Sequence, residues 1–187
     1  MHDFLYFDHC HFQKTLSIPI MTINGHSEAI TDVIFEKSDR VISSSMDHTV
    51  REWDIEIAKE CSKIASAKAV LALSTSDSCI ATGSTDRFIR LYDKKDRSKV
   101  TSTLQFHTGW VSSVAFNPNN SNQLISGSFD KLAVLWDIRS NKTPLYQMDA
   151  HKDRITCCDW STDNTIATGS TDSMVVTYNA LSKIKSK

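Results

Sequence analysis

A pattern that recurs four times constrains this chain more than any other feature of its sequence. An aspartate stands six residues before an aromatic residue in each copy, at Asp47, Asp86, Asp130 and Asp172. The aromatic partners follow one another at intervals of 39, 44 and 42 residues, at Trp53, Tyr92, Trp136 and Tyr178. Intervals this long and this regular are typical of repeat proteins. The sequence therefore predicts four similar structural units.

Each copy carries a short motif that ends at the aspartate. The four versions read VISSSMD, IATGSTD, LISGSFD and IATGSTD, and they begin at residues 41, 80, 124 and 166. Apolar residues also alternate with their neighbours before the motif, as at Val33 and Phe35, which predicts a strand with one buried face. Short strands separated by turn residues are typical of an all-β chain. We expect four strands in each unit.

Two copies are closed by Trp-Asp and opened by histidine, and they resemble WD repeats. The residues that carry this resemblance are Gly25-His26 with Trp53-Asp54, and His107 with Trp136-Asp137. The resemblance implies an all-β fold, a WD-repeat β-propeller with four blades present. We place the repeats within residues 18–182, at about 25–54, 66–93, 107–137 and 151–179. Residues 1–17 are assigned to a non-repeat lead-in and 183–187 to a basic tail.

The WD resemblance also implies a structural hydrogen-bond chain in each repeat, made of a loop His, a Ser or Thr, the turn Asp and an aromatic residue. Two copies have all four members: His26, Ser43, Asp47 and Trp53, then His107, Ser126, Asp130 and Trp136. Two copies have partial sets: Thr82, Asp86 and Tyr92, then His151, Thr168, Asp172 and Tyr178. The second copy has Ser66 at the histidine position. That blade is expected to lack part of its internal bracing.

Serine, histidine and aspartate could instead form a hydrolytic triad. A catalytic serine is exposed on a strained turn, whereas here the same set recurs in copy after copy. A metal site at Asp8, His9, Cys10 and His11 lacks the separated ligand pairs that usually identify zinc. No glycine-rich loop that could cradle a phosphate is present. We therefore predict no enzyme activity, no catalytic residue, no cofactor and no metal.

The five cysteines are an odd number without Cys-x-x-Cys spacing, which argues against a disulfide framework. We expect most of them to be reduced and buried. Cys157 and Cys158 fall in one predicted strand, so their side chains should point to opposite faces.

Residues beside the turn aspartates and before the first strands should share one face of the propeller. Exposed aromatic and Met side chains, and Arg, are typical interface anchors. The candidates for partner binding are Met46, Trp110, Phe129 and Arg154. Packing against the adjacent blade is an equal alternative for Met46, Trp110 and Phe129. The polar segments 94–99 and 139–142 are expected to be solvated loops rather than binding patches.

Composition excludes several classes of partner. The formal net charge is -1 and the pI is about 6.6, so the chain lacks the basic character of nucleic-acid-binding domains and direct RNA binding is disfavoured. No apolar run reaches the roughly 18 residues of a membrane span, and residues 1–20 lack a secretory signal. We expect an intracellular protein without a membrane partner.

Several segments outside the repeat signature are similar to the C-terminal half of the family of WD-repeat ribosome-biogenesis factors of the PeBoW complex. This resemblance implies a scaffold that supports maturation of large-subunit precursor rRNA in the nucleolus, nucleus and nucleoplasm. It also implies pescadillo and block-of-proliferation type subunits and pre-ribosomal particles as partners. Another WD-repeat adaptor, such as a ubiquitin-ligase substrate receptor or a chromatin-associated module, is the alternative. The segments are 19–20, 25–29, 47–51, 83–87, 107–111, 123–128 and 144–146.

Relative to that family, a ubiquitin-like domain and about three of seven blades are absent from this sequence. An open arc with two unpaired strand edges is therefore expected. Thr22 and its neighbours are predicted to form an outer strand, and residues 180–184 a short last strand. A closed four-bladed ring, completed by residues 18–23, is the alternative.

Overall fold

The computed structural model describes residues 21–97, 99–140 and 143–180, and within them every regular element is a β-strand. Four antiparallel sheets, here called blades one to four, each pair their strands in chain order. Blade one holds β1 (Ile30–Lys37), β2 (Arg40–Ser45), β3 (Thr49–Asp54) and β4 (Lys59–Ala65). Blade two holds β5 (Val70–Thr75), β6 (Cys79–Ser84), β7 (Phe88–Asp93) and β8 (Val100–Gln105).

Blade three holds β9 (Val111–Asn117), β10 (Asn120–Ser128), β11 (Ala133–Asp137) and β12 (Tyr146–Met148). Blade four holds β13 (Ile155–Trp160), β14 (Thr165–Ser170) and β15 (Val175–Asn179). The expectation of four strands is thus met in three blades, while the described part of blade four has three. Ala180 lies in a turn, and the rest of the expected strand at 180–184 falls outside the described residues.

The turn between the second and third strands of each blade uses a left-handed residue that is not glycine. The residue after the turn aspartate has a φ between 65° and 75° at His48, Arg87, Lys131 and Ser173. The aspartate stabilises the turn by accepting a hydrogen bond from the backbone N–H two residues on, as Asp130 does from Leu132 over 3.0 Å. The N–H of that residue takes the aspartate side chain as its acceptor in place of a backbone carbonyl, and this local bond fixes the hairpin register.

The hydrophobic core lies between neighbouring blades, since each sheet buries its apolar face against the next. Ile42 and Val50 of blade one pack with Val70 and Leu73 of blade two. Corresponding clusters join blade two to blade three and blade three to blade four. Hydroxyl groups on the first strands reinforce these joints: Thr31 Oγ1 donates to the Val70 carbonyl over 2.6 Å. The same kind of bond joins β9 to β13 through Ser112.

An ion cluster joins the connection after β7 to blade one. Glu36 pairs with Lys94 at 3.3 Å and with Arg97 at 2.9 Å, and Arg97 also contacts Glu52. Burial raises the pKa of Glu36, but the hydrogen bonds and charges of Arg97 and Lys94 outweigh burial and hold it below the ordinary value. The expectation of a solvated loop at 94–99 was wrong for Lys94 and Arg97, because both reach back to buried carboxylates.

The first and last blades form the ends of an open arc. Among the described residues no hydrogen bond or ion pair joins blade one to blade four. On β1, Val33 is 53% exposed and Phe35 is 69% exposed, and on β15, Val175 is 77% exposed. Residues 21–29 contain no strand, so the outer strand expected at Thr22 was wrong. The alternative of residues 18–23 closing the ring lies partly outside the described residues.

Four cysteines fall in the described part of the chain, and all four are free thiols. Cys61 and Cys157 are exposed, so the expectation of burial was wrong for both. Cys157 and its neighbour Cys158 point to opposite faces of β13, and burial raises the pKa of Cys158 to about 12.

No helix in the described ranges has the length and apolarity needed to cross a membrane.

Candidate functional site

In blade three, four side chains form a continuous hydrogen-bond chain. The Trp136 indole Nε1 donates to Ser126 Oγ over 2.8 Å. Ser126 Oγ lies 2.8 Å from His107 Nε2, and His107 Nδ1 lies 2.8 Å from Asp130 Oδ2. An indole can only donate and a carboxylate can only accept, so Ser126 must donate to Nε2 and Nδ1–H must donate to Asp130 if no atom is to remain unpaired. The chain ties the loop before β9 to the middle of the sheet.

Blade one repeats this arrangement. Trp53 Nε1 donates to Ser43 Oγ over 2.7 Å, and Ser43 Oγ lies 2.7 Å from His26 Nε2. His26 Nδ1 lies 2.8 Å from Asp47 Oδ2. Thr49 contributes a further hydroxyl bond to Asp47 over 2.6 Å. In both complete sets predicted from the sequence, each side chain therefore lies within hydrogen-bond distance of the next.

Blade four builds a shorter chain. His151 Nε2 lies 2.8 Å from Thr168 Oγ1, and His151 Nδ1 lies 3.0 Å from Asp172 Oδ2. The Tyr178 hydroxyl, at the position of the indole, is buried without a hydrogen-bond partner among the described residues. A phenol projects its oxygen further than an indole projects Nε1, so the aromatic end of this chain is left open.

The aspartates at the ends of the chains are strongly stabilised as carboxylates. Asp130 Oδ2 also accepts the backbone N–H of Thr108 over 2.9 Å. Burial raises the pKa of Asp130, but the hydrogen bond and charge of His107 and the backbone donors outweigh burial and lower it to about 2. For Asp47, burial acts in the same upward direction, yet the bonds from Thr49 and His26 hold its pKa well below the ordinary range.

Taken by distance alone, Ser126, His107 and Asp130 have the geometry of a hydrolytic triad. Ser126 is 0% exposed, however, and its oxygen already accepts from Trp136. A nucleophile has to reach its substrate and needs an oxyanion site beside it. The arrangement can therefore brace a loop but is closed to a substrate from solvent.

An aromatic cleft opens on the propeller face that carries the turns after the second strands. Trp110 stacks on Phe129 with ring centroids 5.6 Å apart and planes at 25°. The Arg154 guanidinium from blade four also lies over the Phe129 ring, 5.3 Å from its centroid. Arg87 from blade two lines the same cleft, which has a volume of 440 Å³. Residues of three consecutive blades therefore form one surface.

Backbone contacts hold this surface in place. The Phe129 N–H donates to the Trp110 carbonyl over 2.9 Å, so the two stacked rings are joined at their main chains. A Cβ on Gly109 would lie 2.6 Å from the Asp130 nitrogen and 2.8 Å from the Phe129 carbonyl carbon. Only glycine allows the loop before β9 to approach the turn this closely.

Three of the four candidate partner-binding residues come together in this cleft, namely Trp110, Phe129 and Arg154. Met46 does not line it. It occupies the Phe129 position of blade one, is half-buried, and its N–H donates to the Ala29 carbonyl over 2.9 Å.

Metal ligands do not gather in the part of the chain that the structure describes: no group of three or more His, Cys, Asp or Glu side chains there could hold an ion. The cluster at Asp8, His9, Cys10 and His11 lies outside the described residues.

Comparison with known families decides the identity of the repeats. The family described as "WD domain, G-beta repeat" matches residues 17–54, 59–93, 98–137 and 142–179. The chain belongs to the WD-repeat family. Each of the four WD-repeat matches ends at the residue after the aromatic strand residue, and each contains one turn aspartate with its hydrogen bonds.

Several proteins similar to this chain are named for ribosome biogenesis. The chain is 41% identical over 162 residues to the "Ribosome biogenesis protein WDR12 homolog" of Ixodes scapularis, covering 84% of this chain and 38% of the relative. It is 36% identical over 170 residues to the homolog of Nematostella vectensis, covering 89% and 41% respectively. The homolog of Caenorhabditis briggsae is 39% identical over 162 residues. The chain thus spans about two fifths of the length of these relatives.

One residue of the second WD repeat escaped the sequence analysis. Arg90 binds Asp86 with two parallel hydrogen bonds of 3.2 and 2.5 Å, where the other repeats use histidine. The hydroxyl of Ser66, at the expected histidine position, is buried without a hydrogen-bond partner among the described residues. The signal was the spacing, since Arg51 stands four residues after Asp47 as Arg90 does after Asp86, and Arg51 also lies 3.6 Å from its aspartate.

Proposed function

We propose that this chain is a non-catalytic WD-repeat scaffold subunit in ribosome biogenesis. It would support maturation of large-subunit precursor rRNA and large-subunit assembly through protein–protein contacts. The observation that carries the proposal is the 36–41% identity, over 83–89% of this chain, to proteins named for ribosome biogenesis. The burial of Ser126 supports the absence of catalysis.

The proposed partners are protein subunits of the PeBoW complex, of the pescadillo and block-of-proliferation types, together with pre-ribosomal particles. The proposed location is the nucleolus, with the surrounding nucleus and nucleoplasm. The sequence segments that resemble the PeBoW family support this assignment, and the aromatic cleft offers a protein-binding surface. The net charge of -1 supports contacts through protein rather than directly through RNA.

Co-purification from nucleolar extract tests the proposal. The tagged chain should retain large-subunit precursors and the two subunit types. Recovery of cullin adaptors or histones in their place would contradict it and favour the alternative WD-repeat adaptor.

Trp110→Ala provides the variant for this experiment. Trp110 is 48% exposed, so its loss should reduce partner recovery while the melting temperature stays within a few degrees. Met46→Ala is the control, because Met46 has in blade one the turn position that Phe129, the stacking partner of Trp110, has in blade three, but it lies outside the cleft. A lower melting temperature with full partner recovery would assign Trp110 to packing instead.

A further inference from the structure

The arginines of this chain divide sharply by whether they have an ionic partner. The sequence contains seven, and five of them lie within 4.0 Å of a carboxylate: Arg40, Arg51, Arg90, Arg97 and Arg139. Arg87 and Arg154 form no ion pair with any described residue. Both line the aromatic cleft. The only guanidinium groups without an ionic partner in the described structure therefore share one surface.

The acidic side chains next to the cleft form no ion pair with Arg87 or Arg154, although the Asp153 carboxylate has a weaker electrostatic contact with Arg154. Asp86 is bound by Arg90, and Asp130 is bound by His107. Asp153 precedes Arg154 and accepts its backbone N–H over 2.8 Å. The Arg154 guanidinium itself is turned onto the Phe129 ring. An exposed arginine costs little to leave unpaired, but its fixed position over an aromatic ring prepares it for an incoming anion.

Trp110 is the exposed exception among the tryptophans. It is 48% exposed, whereas Trp53, Trp136 and Trp160 are 7%, 1% and 5% exposed. Its ring is held in a stack by Phe129 and by the backbone bond between the two residues. The fixed Trp110 ring lies beside two guanidinium groups that form no ion pair. Together they make a preorganised site for a ligand that has both an apolar group and a negative charge.

We propose that this cleft binds an acidic peptide segment of a protein partner. A glutamate or aspartate carboxylate of that segment would bridge Arg87 and Arg154, and a neighbouring apolar or aromatic side chain would lie against Trp110. Arginine suits this role because its planar group can form two parallel hydrogen bonds to one carboxylate. The inference rests on the proposed function in taking the ligand to be part of a protein, and it names the chemistry of that protein.

Single-stranded RNA also combines negative charge with stacking groups, but the cleft fits it less well. A groove for RNA follows the backbone with a continuous basic track over several nucleotides. Here only two arginines without an ion pair line the cleft, and the chain as a whole has a net charge of -1. These charges match one or two carboxylates better than a run of phosphates.

Titration of the 187-residue chain with synthetic peptides tests the inference. The probe is a peptide rich in glutamate with one phenylalanine, and the comparison peptides replace every glutamate by glutamine or by lysine. Fluorescence and the Trp110 indole N–H resonance report binding, because the other three tryptophans are buried. We expect the glutamate peptide alone to shift the Trp110 signal, and to bind at least tenfold more weakly at high salt.

Variants then assign the charges. Arg87→Gln and Arg154→Gln should each weaken binding about tenfold, as expected for loss of one charge-assisted contact. Arg139→Gln is the matched control, since this exposed arginine lies outside the cleft and should leave affinity unchanged. Arg154→Lys keeps the charge but loses the planar group, and should fall between wild type and Arg154→Gln. Melting temperatures identify any variant that fails to fold.

Three results would overturn the inference: equal binding of the lysine peptide, an equal loss in Arg139→Gln, or tighter binding of an oligouridylate of the same charge than of the glutamate peptide. The inference and the proposed function can fail separately. Retention of large-subunit precursors without peptide binding would reject the cleft alone. Peptide binding without retained precursors would reject the role in ribosome biogenesis.

Discussion

At the scale of single residues, the serine or threonine of the second strand is the junction of each polar chain. Ser126 accepts from Trp136 and donates to His107, so one hydroxyl serves two buried partners. Thr82, at the same position in blade two, has neither a histidine nor a tryptophan partner, and it interacts with the Tyr92 hydroxyl and donates to the Arg90 carbonyl over 3.4 Å. The same repeat position therefore carries different energetic weight in different blades.

Ser126→Ala should lower the free energy of unfolding by about 1–3 kcal/mol, because it leaves the Trp136 N–H and His107 Nε2 buried without a partner. Urea denaturation followed by tryptophan fluorescence measures the change. Thr82→Val is the control, as it keeps the volume and removes no bond to a histidine or a tryptophan, and its effect should be less than half as large. Equal effects of the two substitutions would contradict the junction role.

The depressed pKa of Asp130 makes folding sensitive to acid. Its pKa is about 2 in the folded chain against a reference value of 3.8, so its contribution is complete above the unfolded value and is lost as pH falls from about 4 to about 2. Asp130→Asn should be less stable at neutral pH, and its stability should depend less steeply on pH in this window. Thermal melts at several pH values measure both effects.

Asp163→Asn is the matched control for the acid experiment. Asp163 is exposed in the turn between β13 and β14 and forms no ion pair with described residues. The acid dependence of this variant should equal that of wild type. If Asp130→Asn also matches wild type between pH 4 and pH 2, the account of the His107–Asp130 bond is wrong.

The members of the polar chains could be predicted from the sequence because they recur at fixed spacing in most repeats, whereas the arginine at the Arg90 position recurs only at Arg51 and was missed. The repeat comparison searches for the same residue type at the same position. It does not detect a different residue that reaches the aspartate from across the hairpin. The cleft was half predictable: Trp110, Phe129 and Arg154 were candidates by position, but Arg87 becomes relevant only when blades two, three and four are brought together.

At the scale of elements, the glycine of the second strand allows close approach of the next blade in blades two and three, whereas blade one has Ser44 at this position. A Cβ on Gly127 would lie 2.6 Å from Cγ2 of Ile155, which is fully buried in blade four. A Cβ on Gly83 would lie 2.8 Å from Val111 in blade three. Neither glycine has a positive φ, so close approach of the next first strand, rather than backbone conformation, requires it.

Gly127→Ala should destabilise the chain by about 1–3 kcal/mol, because the added methyl overpacks the joint between blades three and four. Gly169→Ala is the matched test in blade four. Its Cβ would meet only the Sγ of Cys157, an exposed side chain that can rotate away. That variant should lie within about 0.5 kcal/mol of wild type, as for an ordinary surface change. Denaturant midpoints compare the two, and the reverse order would refute the packing argument.

At the scale of the whole molecule, the arc presents two unlike apolar ends. Val33 and Phe35 are exposed on blade one, and Val175 is exposed on blade four. Inside the arc, the corresponding first-strand residues Val114 and Phe116 are 5% and 7% exposed because the preceding blade covers them. The repeat pattern in the sequence predicted the sheets, and the resemblance to a seven-bladed family predicted the open arc. It could not predict the ion pairs of Lys94 and Arg97, which depend on how blade two approaches blade one.

The exposed end of blade one should make this 187-residue chain self-associate as its concentration rises, since exposed apolar sheet faces promote contacts between molecules. Sedimentation velocity over a hundredfold concentration range measures the effect. Phe35→Asp should suppress it, while Ile57→Asp, at a residue 66% exposed outside that face, should not. A sedimentation coefficient that stays constant in the wild-type chain would show that the ends are not adhesive.

In the left-handed turn after each second strand, one residue fixes the backbone and the next residue presents a side chain that the turn does not need. The aspartate holds the backbone, while the side chain of the next residue, His48, Arg87, Lys131 or Ser173, takes no part in that bond. Each blade thus has a turn position with a fixed backbone, and the side chain at that position can change without altering the hairpin. A propeller built this way can acquire a new recognition surface by substitution at these four turn positions. Ser173→Arg would add a positive charge from blade four to the face that carries Arg87.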